Sequence, residues 1–200
     1  MLYRRHLFGV AAVTAMLPRF TFAQGTSTAA TRLDERGPEN AALASRTGLW
    51  DVTETAWKSA DATPVTSTGL VADRRMFGWL LQEMLRPAGD TSDQAVKRID
   101  YLSFQQAEAR WDYASMDMRD NDGIMCAWSF TRGDENRIEF TFNPFAVLSP
   151  GPNVVGQMLR MTQVITHQGP NQDTKEQYFI FNGGSGVPYL GHRYVYVRQS

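Results

Sequence analysis

Thr47-Gly48-Leu49-Trp50-Asp51-Val52-Thr53 is where this chain changes character. On its N-terminal side, Pro38-Glu39-Asn40-Ala41-Ala42-Leu43-Ala44-Ser45-Arg46 reads as a short helix. Pro38 suits a first turn, Glu39 suits the positive end, and Gly48 suits the residue just past the C-terminus. Too few of its residues are apolar for it to stand alone, so it is expected to lie across something else. On the C-terminal side, Leu49 opens a series of about ten strand-like runs that fills the rest of the chain. A glycine at this joint followed by an indole fits the opening of a small closed barrel, with Trp50 plugging one end.

The runs are Leu49–Trp57, Val65–Arg74, Gly78–Arg86, Val96–Phe104, Ala109–Met118 and Met125–Thr131, then Arg137–Asn143, Met158–His167, Glu176–Asn182 and Arg193–Arg198. Turn chemistry separates them, as in Pro87-Ala88-Gly89-Asp90 and Asp120-Asn121-Asp122-Gly123. Arg137-Ile138-Glu139-Phe140-Thr141-Phe142 alternates polar and apolar throughout, so one face is buried and the other wet. Short antiparallel neighbours with no helices between them predict an all-β, up-and-down barrel of about ten strands. Closure also removes the edges that a ten-stranded open sheet would leave. An open sandwich is the alternative. Two irregular connections, Pro144 to Gly156 and Asn182 to Pro188, interrupt the meander and are of the kind that bears on ligand access at a barrel mouth.

The barrel domain is expected to span 38–200, preceded by an export signal over 1–23 and a flexible arm over 24–37. Arg4-Arg5 gives a basic start, Leu7 to Leu17 is a short apolar run, and Thr21-Phe22-Ala23 has the small-x-Ala pattern of a cleavage site. That run is shorter than the roughly 20 residues a membrane span takes. The arginine pair fits the twin-arginine export route, with an ordinary secretory signal as the alternative. Either way a periplasmic or secreted protein is expected.

The whole chain carries 20 basic and 21 acidic residues, a net charge of −1, and loss of Arg4, Arg5 and Arg19 takes it to −4. A mildly acidic chain with no basic run is a poor partner for nucleic acid or an anionic membrane surface. Cys126 is the only cysteine, so no intramolecular disulfide is possible, and no cysteine marks a lipid anchor at the cleavage site. Oligomeric state is not legible.

Leu43 through Gly48-Leu49-Trp50, then Ser67-Thr68-Gly69, then Phe77-Gly78-Trp79-Leu80, resembles a family of bacterial proteins of unknown function with a lipocalin-like (calycin-like) barrel. Their hairpin of Gly-Tyr-Asp leading to an aromatic strand ending in Asp has a counterpart in Ser103-Phe104-Gln105 and Arg110-Trp111-Asp112-Tyr113-Ala114-Ser115-Met116-Asp117. The likeness covers roughly residues 43–130. Gly-Tyr-Asp itself is replaced, so no role of that aspartate carries over. The resemblance implies a barrel whose interior holds something small, without naming it.

The residues themselves offer little conventional chemistry. Beyond the leader, His167, His192 and Cys126 stand at no metal-ligand spacing. Met118 to Ser129 fails as a calcium loop at its first and twelfth positions. No cofactor is expected. His192 or His167 as a single haem ligand is the alternative, since one histidine suffices in an apolar pocket. Gly184-Ser185-Gly186 lacks the pattern of a nucleophile elbow.

The candidate site is a set of charged and aromatic residues in mid-strand. Arg74, Arg98, Asp100, Arg110 and Asp112 face in or out, and any that face in require a partner or an anionic ligand. Trp79, Tyr101, Trp111, Tyr113 and Trp128 are suited to line an apolar cavity with polar tips. The competing reading places the charges outside and the aromatics in a solid core. Three functions follow in order of preference. The first is a carrier of a small hydrophobic or amphipathic molecule. The second is an isomerase, cyclase or hydrolase using Asp112 or Arg98 in the same cavity. The third is an interaction module with a filled core.

Overall fold

The computed structural model describes residues 37–120, 123–130, 136–146, 156–181 and 187–200. The expected export segment and most of the arm lie outside these residues. So do parts of the 120–123 turn and most of the connections at 144–156 and 182–188.

Helix α1 (Gly37–Ala44) precedes eleven strands: β1 (Gly48–Ala56), β2 (Val65–Phe77), β3 (Leu80–Pro87), β4 (Arg98–Gln105), β5 (Arg110–Asp117), β6 (Met125–Ser129), β7 (Arg137–Phe142), β8 (Phe145–Ala146), β9 (Met158–His167), β10 (Gln172–Phe181) and β11 (Tyr189–Arg198). Every pairing is antiparallel, and β10 bonds to both β9 and β11, which closes ten strands into a barrel. The two-residue β8 is appended to β9. The expected up-and-down barrel is the observed one.

Gly48 does not end the helix. Helix α1 stops at Ala44, and Gly48 is the first residue of β1 at φ +116°, a conformation that favours glycine. The intervening turn is held from outside by Arg198, which donates to the carbonyls of Ser45 and Thr47.

Trp50 is fully buried at the helix end, with its indole N–H donating to the Arg46 carbonyl at 3.1 Å. Its ring lies between two guanidiniums, Arg74 at 4.6 Å and Arg198 at 4.4 Å from the ring centre. Helix α1 docks through Leu43 and through Asn40, whose side-chain amide bonds both the N–H and the carbonyl of Phe104 at 2.9 Å. That amide satisfies the end of β4 as a neighbouring strand would.

Alternation along the strands assigns the two faces. Leu81, Glu83 and Leu85 of β3 point in, as do Arg98, Asp100, Leu102 and Phe104 of β4. Trp111, Tyr113 and Ser115 of β5 also point in, as do Asp173, Lys175 and Gln177 of β10. An aromatic-rich core of Phe104, Trp111, Tyr113, Phe140 and Phe142 packs on the β4–β7 side. A second cluster, Trp50, Val52, Leu70, Ala72, Leu85, Tyr194 and Tyr196, occupies the β11–β3 side.

Candidate functional site

Charged side chains occupy the middle of the barrel and pair with one another. Arg74 donates Nε to Glu83 Oε2 at 2.7 Å and Nη1 to Asp173 Oδ2. Lys175 Nζ reaches Asp100 Oδ2 at 2.6 Å, Glu83 Oε1 at 3.1 Å and the Tyr113 hydroxyl at 3.4 Å. Arg98 donates Nε to Asp100 Oδ2 at 2.9 Å, and its Nη2 reaches the Tyr196 hydroxyl at 3.1 Å and Glu83 Oε1 at 3.3 Å. Ser115 Oγ donates to Asp100 Oδ1 at 2.6 Å. Three buried cations thus face three buried carboxylates, and the flat faces of Arg74 and Arg98 stack on Tyr196 and Tyr194 at 4.5 and 4.3 Å.

Strand geometry makes this possible. Arg98 and Asp100 stand two apart on β4, so both point inward, and Glu83 lies opposite Asp100 on β3. Burial alone would raise the Glu83 carboxyl, but Lys175, Arg74 and Arg98 hold it well below the usual range. Burial would likewise lower Arg98, and Asp100 keeps it above its ordinary value. Glu83 and Arg98 therefore stay ionised. The space among them toward α1 is only about 30 Å³, room for one or two waters. Below it Asp173 bonds Arg46 at 3.1 Å and His167 Nδ1 at 2.9 Å, which completes the seal under the helix.

The other end is hollow. A cavity of about 350 Å³ opens between β4–β5 and β9–β11. One wall is apolar, formed by Met125, Phe145, Leu159, Met161, Phe179, Phe181 and Tyr189. The other is polar, formed by Lys58, Arg98, Ser115, Asp117, Arg119, Asp120, His192 and Tyr194, with Gln177 between the two. Gly191 is part of the reason Phe179 stands where it does: a Cβ there would lie 2.3 Å from the Phe179 ring.

Around the rim, Glu54 Oε1 accepts from the Tyr194 hydroxyl at 2.7 Å and lies 3.1 Å from His192 Nδ1. Arg119 joins it at 3.0 Å and forks onto Asp117 at 2.7 and 2.9 Å. Burial would raise the Glu54 carboxyl, yet the bonds from His192 and Tyr194 and the charge of Arg119 pull it down to about 2. Burial pushes the Tyr194 phenol up to about 12.

Two buried donors near the cavity have no hydrogen-bond partner among the described residues: Arg98 Nη1 and Gln163 Nε2. Gln163 sits beneath Gln177, which donates to its Oε1 at 3.0 Å. A third such donor, Trp111 Nε1, lies in the aromatic core.

Of the residues singled out in the sequence, Arg74, Arg98, Asp100, Trp111 and Tyr113 point inward, and Arg98 alone of these lines the large cavity. Tyr101 stands on the outer face, its hydroxyl accepting from Gln82 at 3.1 Å. Arg110 pairs outside with Glu108 at 2.6 Å and Asp112 at 2.7 Å. Trp128 is outward and 42% exposed, and Trp79 is 45% exposed in the turn between β2 and β3. His192 lines the large cavity, and His167 faces the small space beneath α1. Glu54, Glu83, Asp173, Lys175, Gln163 and Gln177 were not singled out. Glu54, Glu83 and Gln163 are in phase with inward apolar neighbours, as Glu83 is with Leu81 and Leu85, and that phase is the signal that marks them.

No family model matches this chain, and no curated protein matches it. Among solved structures it is similar to the crystal structure of Rv2717c from M. tuberculosis, with 14% identity and a TM-score of 0.45 over 82% of this chain and 99% of that one.

Proposed function

We propose that this protein binds a small amphipathic molecule in the hollow half of its barrel, as an exported member of the lipocalin-like group. The observation that carries the reading is the 350 Å³ cavity with one apolar wall and one polar wall. Its size lies within the range of small-molecule sites, and its two-sided lining is what orients an amphipathic guest. An engineered apolar cavity of about 150 Å³ holds benzene, so this volume suits about a dozen heavy atoms.

Binding accords with the carboxylates better than catalysis does. Glu54, Asp117 and Glu83 are all held below their ordinary values by cations and hydroxyls already bonded to them. A general base works best near the operating pH, and these are poor proton acceptors there.

Native mass spectrometry of the protein drawn from its own cells tests the reading. The expected spectrum shows a released small molecule, lost in a Met161→Trp variant whose larger side chain occupies the cavity. An adduct retained equally by the folded variant, or a protein that accepts no small amphipath at millimolar concentration, would overturn it.

A further inference from the structure

We infer that the cavity takes an aromatic guest bearing a hydroxyl group, a phenol by chemical class, whose O–H donates to His192 Nε2. This rests on the proposed binding role of the cavity and adds the chemistry of the guest.

Glu54 decides which nitrogen of His192 is left for a guest. Its carboxyl is held at about 2, so at neutral pH it is a carboxylate and can only accept. Its Oε1 accepts from the Tyr194 hydroxyl at 2.7 Å and lies 3.1 Å from His192 Nδ1. Nδ1 therefore carries the proton, and in the uncharged ring the lone pair falls on Nε2. Nε2 has no hydrogen-bond partner among the described residues, and unlike Arg98 Nη1 it is not sealed from solvent. His192 alternates in phase with Tyr194 and Tyr196, its side chain is 28% exposed, and it lines the cavity, so the open edge of the ring faces the hollow. The ring is also fixed in direction. It lies within 7° of parallel to Tyr194 at 5.9 Å, and Phe179 packs on it at 5.6 Å. A carboxylate on one nitrogen and rings on its faces make the other nitrogen an aimed acceptor.

The wall beside it is aromatic. Phe179 meets Tyr189 edge-on at 6.0 Å, and Tyr189 stacks with Phe181 at 6.2 Å, all three lining the cavity. Flat rings at these spacings favour a flat ring as guest over a saturated chain. Charge does not choose the head group. Lys58 and Asp120, exposed at the same mouth, have opposite signs, and neither has an ion pair among the described residues. Hydrogen bonding chooses it. A carboxylate brings only acceptors and sets lone pair against lone pair at Nε2 unless the ring takes up a further proton. A hydrocarbon covers Nε2 with apolar atoms and strips its hydration without replacement. A phenolic O–H supplies the missing donor and changes no charge.

Three probes of similar size decide the matter: 2-naphthol, 2-methylnaphthalene and 2-naphthoate, titrated against the full-length protein at neutral pH by calorimetry. The naphthol is expected to bind at least about tenfold more tightly than either of the others, a difference of about 1.4 kcal/mol. In a folded His192→Phe variant its advantage over methylnaphthalene is expected to shrink to within about twofold. Nitrogen-15 spectra of the unsubstituted protein give a second reading. His192 Nε2 should show the resonance of an unprotonated ring nitrogen and move upfield when the naphthol binds. Methylnaphthalene matching the naphthol, a preference that survives in His192→Phe, or an Nε2 resonance that is protonated at the start or does not move would each overturn the inference and leave the cavity as a binding site. Naphthoate binding at least as tightly as the naphthol would also overturn it, and would make the head group an anion. Failure of all three to bind up to their solubility would sink the binding role and the inference together.

Discussion

At the helix end the barrel closes around about 30 Å³, with Trp50 held between two guanidiniums, whereas at the mouth the same ten strands leave about 350 Å³ open. The backbone does not make this difference, because strands such as β10 run through both halves. Side-chain volume and saturation make it. Inward positions near the helix carry Trp50, Trp111, Phe140 and Tyr196, while toward the mouth they include Ala56, Ser115 and the close approach at Gly191. Lys175 of β10 has three acceptors, whereas Nη1 of Arg98, at the boundary, has none among the described residues. A barrel can therefore be rigid and receptive at once, provided its polar groups are satisfied on one side and left wanting on the other.

The sharpest way to break the comparison is to unbalance the filled half. Lys175→Met leaves Glu83 and Asp100 with Arg98 as the one cation they still share, and removing one partner of a buried pair costs about 3–5 kcal/mol. Urea unfolding measures it, and a loss below about 1 kcal/mol would mean that water reaches the network. Trp50→Ala is expected to cost a comparable 3–5 kcal/mol as a deleted core aromatic, while the folded protein retains ligand affinity. A well-folded Trp50→Ala protein that had lost only binding would move the functional site to the helix end.

These two halves were unequally legible in the sequence. The strand run Met158–His167 coincides with β9 because Leu159, Met161 and Ile165 keep an apolar inward phase. The readings of β10 and β11 began late, at Glu176 and Arg193, although the strands start at Gln172 and Tyr189. Gln172-Asp173-Thr174-Lys175 looks like a polar turn because its inward residues are charged. An ionic interior erases the contrast between wet and dry faces on which alternation depends. The same property splits the candidate site: Arg74, Arg98, Asp100, Arg110 and Asp112 look alike in sequence, yet the register sends three inward and two outward. Partner choice across strands, not residue type, separates Arg98 from Arg110, and it requires the barrel register.

A smaller test acts on the hollow half alone. Gly191→Ala sets a methyl against the Phe179 ring, which must shift toward the cavity at a cost of about 1–3 kcal/mol. Guest affinity should fall in step, and unchanged affinity would show that Phe179 does not shape the bound pose. Acid offers a measurement without mutation. The folded Glu54 carboxyl, at about 2, lies below its ordinary 4.5, so its contribution is complete above that value and fades as pH falls toward 2. Screening at the rim reduces the effect to about 1–2 kcal/mol. A Glu54→Gln variant should abolish that share of the acid dependence, and an identical pH–stability curve in the variant would remove Glu54 as its source.

The smallest expected effect separates inside from outside on a single strand. Tyr101 and Asp100 are neighbours on β4, but Tyr101 faces outward and only accepts a bond from Gln82 at 3.1 Å. Tyr101→Phe removes that bond where water can replace it, so stability should change by no more than about 0.5 kcal/mol. Affinity for a small amphipath bound in the cavity should stay within about twofold, a difference near 0.4 kcal/mol. Tyr194→Phe is the matched change on the inner face, where the hydroxyl donates to Glu54 at 2.7 Å in a buried site. Losing that donor should raise the Glu54 carboxyl and cost more than the outer change. If the two variants behaved alike in unfolding and in binding, the inner and outer faces of the mouth would be energetically equivalent, and the cavity's polar wall would have no claim to be a site.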